Sequence, residues 1–136
     1  MRMSTFTPTL YGSITGMSKP FVKESAWGRY FKNGDLVIYY GRGTWSEPPV
    51  PEDVPNGQFC ISLPFKQQNY TSYGNLLIER NNPALAWTNK ILIGVIPNCN
   101  YGVFRNVTDD GLYESLYCAA FGTEFTIAWT LHYLAA

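Results

Sequence analysis

The chain has 136 residues and a mass of 15.4 kDa, one domain's worth of material where domains usually run to about 100–150 residues. Hydrophobic residues make up 46%, aromatic residues 16% and charged residues only 15%, against a usual charged share of about 25%, a composition that excludes a disordered chain. Ten basic residues balance ten acidic ones, leaving no electrostatic footprint for nucleic acid, and no apolar stretch approaches the roughly 20 residues of a membrane span.

No long apolar stripe with helical spacing occurs free of Gly or Pro, while 12 glycines and 9 prolines punctuate short β-branched and aromatic runs, the pattern of strands joined by turns. Met1 to Thr5 lacks the apolar segment of a signal peptide. Phe6 to Ile14 is predicted as a first strand, entered through Thr7-Pro8-Thr9. Gly28 to Lys32 and Asp35 to Trp45 flank Asn33-Gly34, a hairpin signal because these residues tolerate positive φ. Pro48 to Pro55 is dense in proline and acid and reads as a loop, partly polyproline II. Gln58 to Leu63 alternates and is stopped by Pro64. Tyr73 to Arg80 is a further predicted strand, turned by Asn81-Asn82-Pro83. Lys90 to Ile96 reads as a strand covered on both faces. Tyr101 to Val107 and Leu112 to Cys118 form a predicted hairpin about Thr108-Asp109-Asp110-Gly111. In the last strand Phe125, Ile127, Trp129, Leu131 and Tyr133 share one face, and Glu124, Thr126, Ala128, Thr130 and His132 the other. About eight short strands in one domain over residues 1–136 predict an all-β fold, an antiparallel jelly-roll-like β-sandwich.

Candidate chemistry is sparse. Cys60, Cys99 and Cys118 lack metal-ligand spacing and read as buried thiols, with a single disulfide as the alternative. His132, the lone histidine, has no GxSxG nucleophile to serve and reads as a surface or subunit-contact residue. Asp109-Asp110 and Glu52-Asp53 are adjacent carboxylates, but sequence neighbours do not straddle a glycosidic bond, and Asp109-Asp110-Gly111 is more simply a turn. Gly41-Arg42-Gly43 lacks the remaining spacing of a phosphate loop. Asn69-Tyr70-Thr71 and Asn106-Val107-Thr108 match a glycosylation pattern that arises easily by chance. No catalytic residue, cofactor or metal ligand is predicted.

Aromatic residues near predicted loops remain. Tyr70, Tyr73, Trp87, Tyr101 and Tyr113 are candidate partner or glycan contacts, with Gln67, Gln68 and Asn69 beside them, although packing at the ends of a sandwich would use the same residues.

Phe6-Thr7-Pro8-Thr9-Leu10-Tyr11-Gly12, then Gly28-Arg29-Tyr30-Phe31-Lys32-Asn33-Gly34-Asp35-Leu36-Val37, resembles the opening of bacteriophage virion-surface β-domains of the tail-fibre-tip and capsid-decoration type. Ile61-Ser62-Leu63-Pro64-Phe65 is similar to a strand end of that family with one glycine missing, and Asp110 to Tyr133 is similar to its closing hairpin. In this reading Gly28 and Gly34 make turns, and Tyr30, Leu36 and Ile38 are candidate core residues.

The resemblance implies a homotrimeric sandwich on a phage particle, without catalysis, cofactor, nucleic acid or membrane, located in the virion after assembly in the host cytoplasm. A motif that begins at residue 6, with no shaft before it, favours a capsid decoration or cement protein that contacts the major capsid protein; the alternative is a receptor-binding tail tip recognising host glycan. Pro48, Pro49, Pro51 and Leu134, with the apolar end Leu134-Ala135-Ala136, are the expected interface.

Overall fold

The structure, a computed structural model, describes residues 3–82, 91–107, 113–121 and 123–136. Ten strands lie among these residues: β1 (Met3–Thr5), β2 (Leu10–Gly12), β3 (Val22–Asn33), β4 (Leu36–Ser46), β5 (Phe59–Ser62), β6 (Ser72–Asn82), β7 (Ile91–Val95), β8 (Tyr101–Val107), β9 (Tyr113–Ser115) and β10 (Glu124–Leu134). Short 3-10 turns occupy Pro51–Asp53 and Cys118–Phe121. The fold is all-β and antiparallel, with one hydrogen-bonded path in the order β1-β3-β4-β10-β6-β7-β8-β5-β2 and β9 attached to β8.

That sheet is curled. In the strand order, four steps separate β10 from β5, roughly 19 Å if the sheet lay flat at about 4.8 Å per strand. Yet the ring centroids of Phe125 on β10 and Phe59 on β5 are 5.5 Å apart. Phe59 also stacks on Phe104 at 4.3 Å and Phe21 at 5.0 Å and meets Phe121 at 4.3 Å, so the inner face of the curl is an aromatic core. The five inward residues of β10 are all buried, as their alternation predicts.

The segment between β1 and β2 closes the curl, and here the structure differs from a continuous strand over Phe6 to Ile14. β1 pairs with β3 at one edge, whereas β2 pairs with β5 at the other. Residues 6–9 cross between them: Phe6 N–H donates to Gly28 O at 3.0 Å, and Thr9 N–H donates to Ser62 Oγ at 2.7 Å. Pro8 has no N–H to give a ladder, which suits it to the crossing. The Tyr39 hydroxyl donates to Phe6 O at 3.1 Å, and Phe21 N–H donates to Leu10 O at 2.8 Å, tying both edges together.

The β3–β4 hairpin forms, but its turn is Gly34-Asp35, since Asn33 pairs with Leu36. Only Gly34 of the two has positive φ, at +60°, as a type II′ turn requires at its first central position. Val37 and Tyr39 point inward, opposite Tyr133 and Leu131 of β10. Leu36 is exposed and Ile38 half-buried, and Tyr30 packs on the core only partly buried, so the expected core positions Leu36 and Ile38 lie on the outer face. Gly41, also inward, leaves room for the indole of Trp129, whose Cη2 would lie 2.8 Å from any Cβ added there.

Elsewhere β5 is buried on both faces rather than half-exposed. The proline-rich loop contains the 3-10 turn at Pro51–Asp53, with Pro51 in its first turn where a missing N–H costs nothing. β6 runs through Asn82, past the predicted turn start at Asn81, and β9 ends at Ser115, short of Cys118. Pro83 and the turn residues 108–111, Asp109 and Asp110 included, lie outside the described residues.

Phe59→Ala is expected to cost roughly 3–5 kcal/mol, because it removes the ring that several others touch. Leu77→Ala on the outer face should stay within about 0.5 kcal/mol. Guanidinium unfolding of both variants checks the contrast; equal costs would mean the curl does not depend on Phe59.

Candidate binding surfaces

The aromatic residues predicted near loops do not form one site. Trp87 lies outside the described residues. Tyr70 serves the fold: its hydroxyl accepts the Leu134 N–H at 2.6 Å. The neighbouring amides are similarly engaged. Gln67 is fully buried, donating to Val95 O at 3.0 Å and to Tyr70 O while accepting from the Ser72 hydroxyl. Gln68 Nε2 donates to Ala135 O at 3.0 Å, and Asn69 Oδ1 accepts from Asn98 Nδ2 at 3.0 Å. Residues 67–70 therefore clasp the C-terminal strand. Ala135 is itself buried and donates its N–H to Asp35 O at 2.7 Å, so of Leu134-Ala135-Ala136 only Leu134 and Ala136 present exposed side chains.

Tyr73 and Tyr113 do come together. Their rings stack with centroids 5.2 Å apart and planes 18° from parallel, and both remain about half exposed. Gly94 pairs with Tyr73, and a Cβ there would meet Arg105 Nε at 3.3 Å and Tyr73 Cε1 at 3.4 Å, so a guanidinium and a ring share the space above this glycine. Tyr117 is exposed nearby in sequence, where Gln58 bridges it.

Tyr101 stands apart. It packs with Ile96 against a small buried cluster of Tyr11, Cys60 and Val103 on the outer side of β2, β5 and β8. Burial pushes the Tyr11 hydroxyl up to about 12, with the nearby Cys60 and Tyr101 adding to it, and raises Tyr101 in the same direction. The Cys60 thiol is pushed up to about 11 by burial, and the Cys118 thiol to about 12 by burial and then by Cys60. Both stay as neutral thiols near pH 7, whereas nucleophilic and metal-binding cysteines are thiolates. Cys99 is only half-buried, which corrects the expectation of three buried thiols, and all three cysteines are free.

Another surface is one the sequence reading missed. The outer face of β3, β4, β10 and β6 aligns Trp27, Arg42, Ala128 and Leu77 in one cross-strand row. Neighbouring rows carry Arg29 with Tyr40 and Thr130, then Phe31 with Ile38 and the exposed His132, then Leu36 with Leu134. Trp27 meets Tyr40 edge to face at 5.8 Å, and the Arg29 guanidinium sits 5.6 Å from the Trp27 ring centre. Arg42 Nε donates to Glu79 Oε2 across the single methyl of Ala128. Short Ala128 between taller neighbours leaves an open groove of about 400 Å³. The available signal was Leu36 to Tyr40, a run apolar on both faces, where a strand with one solvated face would alternate.

Pro48, Pro49 and Pro51 lie at the other end of the sheet from Leu134. Ser46, just before the loop, pairs with Glu124 at the start of β10, while Leu134 pairs with Leu36 at its end. The loop packs beside residues 18–22, where Lys19 Nζ donates to Glu52 O at 3.0 Å and lies 3.9 Å from Asp53. Ile14, Met17 and Val50 are exposed on these two loops.

Because their folded-state pKa values are raised, Cys60, Cys118 and Tyr11 contribute stability that is complete below their unfolded values of 9.0, 9.0 and 10.0 and is lost as pH climbs toward about 11 to 12. The guanidinium midpoint should fall between pH 9 and 11, and Cys60→Ala should flatten that fall relative to its own value at pH 7. An unchanged pH slope in the variant would remove Cys60 from the cause.

Compared with known proteins, the chain matches no family model, and no curated protein matches it.

Proposed function

We propose that this chain is a non-enzymatic structural protein of a bacteriophage virion, a decoration or cement protein that binds the major capsid protein as a trimer and stabilises the shell. The observation that carries the reading is where the exposed large apolar side chains lie. Most of them lie on three surfaces: the outer face with Trp27, Leu36, Leu77 and Leu134; the loop end with Ile14, Met17 and Val50; and the Tyr73–Tyr113 stack. Contiguous apolar patches mark protein partners, and a protein that joins neighbours to one another needs more than one such patch. With a formal net charge of zero, such a protein would hold by buried area rather than by electrostatic steering. The phage context comes from the resemblance of the Phe6–Gly12 and Gly28–Val37 motifs. A jelly-roll-like sandwich belongs to the same reading, supported by the facing of Phe59 and Phe125 across the curl.

One observation favours the alternative of a glycan-recognising tail tip. The Tyr73–Tyr113 stack is exposed beside Arg105, and aromatic faces with an adjacent guanidinium suit a sugar ring.

Immunogold labelling of purified virions, with copy number from a quantified gel, separates the two. The decoration reading expects hundreds of copies over the shell and particles that break more readily without the protein. A handful of copies at the tail, with adsorption impaired by Tyr73→Ala, would replace it with the receptor-binding reading. No copies on the particle would end both.

A further inference from the structure

We infer that copies of this chain join head to tail, the proline-rich loop of one copy seating in the Trp27–Tyr40–Arg42 groove of the next. The inference deepens the trimer part of the proposed function and rests on it only for the number of copies in the ring.

The groove has the chemistry of a polyproline receptor. Its wall is Trp27 set edge to face against Tyr40, its floor is Ala128, and its far side is Leu77. Aromatic-lined grooves of this kind take proline-rich segments because the extended segment is already ordered and loses little entropy on docking. One cation beside the groove is left without an acidic partner among the described residues. Arg42 is neutralised by Glu79, whereas Arg29 rests on the Trp27 ring with no carboxylate in ion-pair range among the described residues.

The loop supplies the complement. Pro48 and Val50 each precede a proline, which disfavours helical backbone there; Val50 is extended, with φ −93° and ψ 120°, and the chain bends at Pro49 and Val50 into the 3-10 turn at Pro51–Asp53. Pro49, Val50 and Pro51 are exposed. The loop is acidic: Lys19 compensates Asp53, but the Glu47 and Glu52 carboxylates have no cation in ion-pair range among the described residues. A free basic group on the aromatic face thus has free acidic groups on the proline loop to meet.

Within one copy the two cannot meet. The loop leaves β4 at Ser46, four residues beyond Arg42 in the strand, a separation of roughly 13 Å. It is held at that end by the Glu47 N–H donating to Thr123 O at 2.9 Å and by Lys19. A proline-rich loop seated in this groove therefore comes from another copy. Two different patches make a heterologous contact, which closes into a ring when the rotation allows.

The full chain, sedimented over a range of concentrations, tests this with five variants. Trp27→Ala and the pair Pro48→Gly/Pro49→Gly should each weaken association by about tenfold or more. Arg29→Glu and Glu52→Arg should each weaken it, and the two combined in one chain should restore it. Urea midpoints near that of the unaltered protein will show that the outer-face and loop variants are folded. The decisive mixture combines Trp27→Ala chains, which keep an intact loop, with Pro48→Gly/Pro49→Gly chains, which keep an intact groove. One good junction remains, so the mixture should give a dimer that neither variant forms alone. Absence of that dimer overturns the inference. An oligomer indifferent to all the variants also overturns it while leaving the trimer reading in place. An unaltered chain that stays monomeric throughout overturns both.

Discussion

Phe59 is the contact on which the curl depends. It sits on a four-residue strand next to one edge of the sheet, yet its ring meets Phe125 from the middle of the sheet and Phe21 from just before β3. Strand-to-strand hydrogen bonds alone would permit a flat sheet, with one face of its apolar residues in water. Packing of Phe59 against Phe104 and Phe121 gives the inner face a solid centre about which the two arms can wrap. Burial of such rings contributes roughly 25 cal/mol for each Å² of apolar surface removed from water, with further gain from offset and edge-to-face geometry.

Once the arms approach, the edges need partners, since unpaired strand edges invite aggregation. Residues 6–9 provide them by running from the β3 edge to the β5 edge, each side fixed by a backbone hydrogen bond. At the opposite end of the strands, the Tyr133 hydroxyl both donates to Phe65 O at 3.0 Å and accepts from Phe65 N–H at 3.1 Å, while buried Gln67 satisfies backbone carbonyls of two further segments. Aromatic burial holds the middle and polar clasps hold the ends, so the surface outside these contacts is free to serve partners.

How much of this was legible depended on whether a strand has one character or two. β10 alternates cleanly, so its inward face could be assigned from period alone, and the structure buries all five residues. β4 is apolar on both faces from Leu36 to Tyr40, so period could not decide which set faces the core. Pairing with β10 decides it: Val37 and Tyr39 lie opposite Tyr133 and Leu131, two of the inward residues of that strand. Segment 67–70 was obscure for a different reason. Glutamine and asparagine near a tyrosine look alike whether they await a ligand or tie down a distant strand, and only the fold brings Leu134, Ala135 and Val95 within their reach.

The same ambiguity explains why the outer face escaped notice. Exposed apolar residues on a strand are indistinguishable from core residues until the register is known, and a resemblance based on short motifs assigned Leu36 and Ile38 inward. In the folded chain the inward set, Val37, Tyr39 and Trp45, already fills the space beneath β4 together with Trp129. No core volume is left for the outward set, and a sheet needs only one apolar face to fold. Trp27, Leu36, Ile38 and Tyr40 are therefore in excess of what the core beneath β4 requires, and that surplus is the ground on which a contact role for this outer face is proposed.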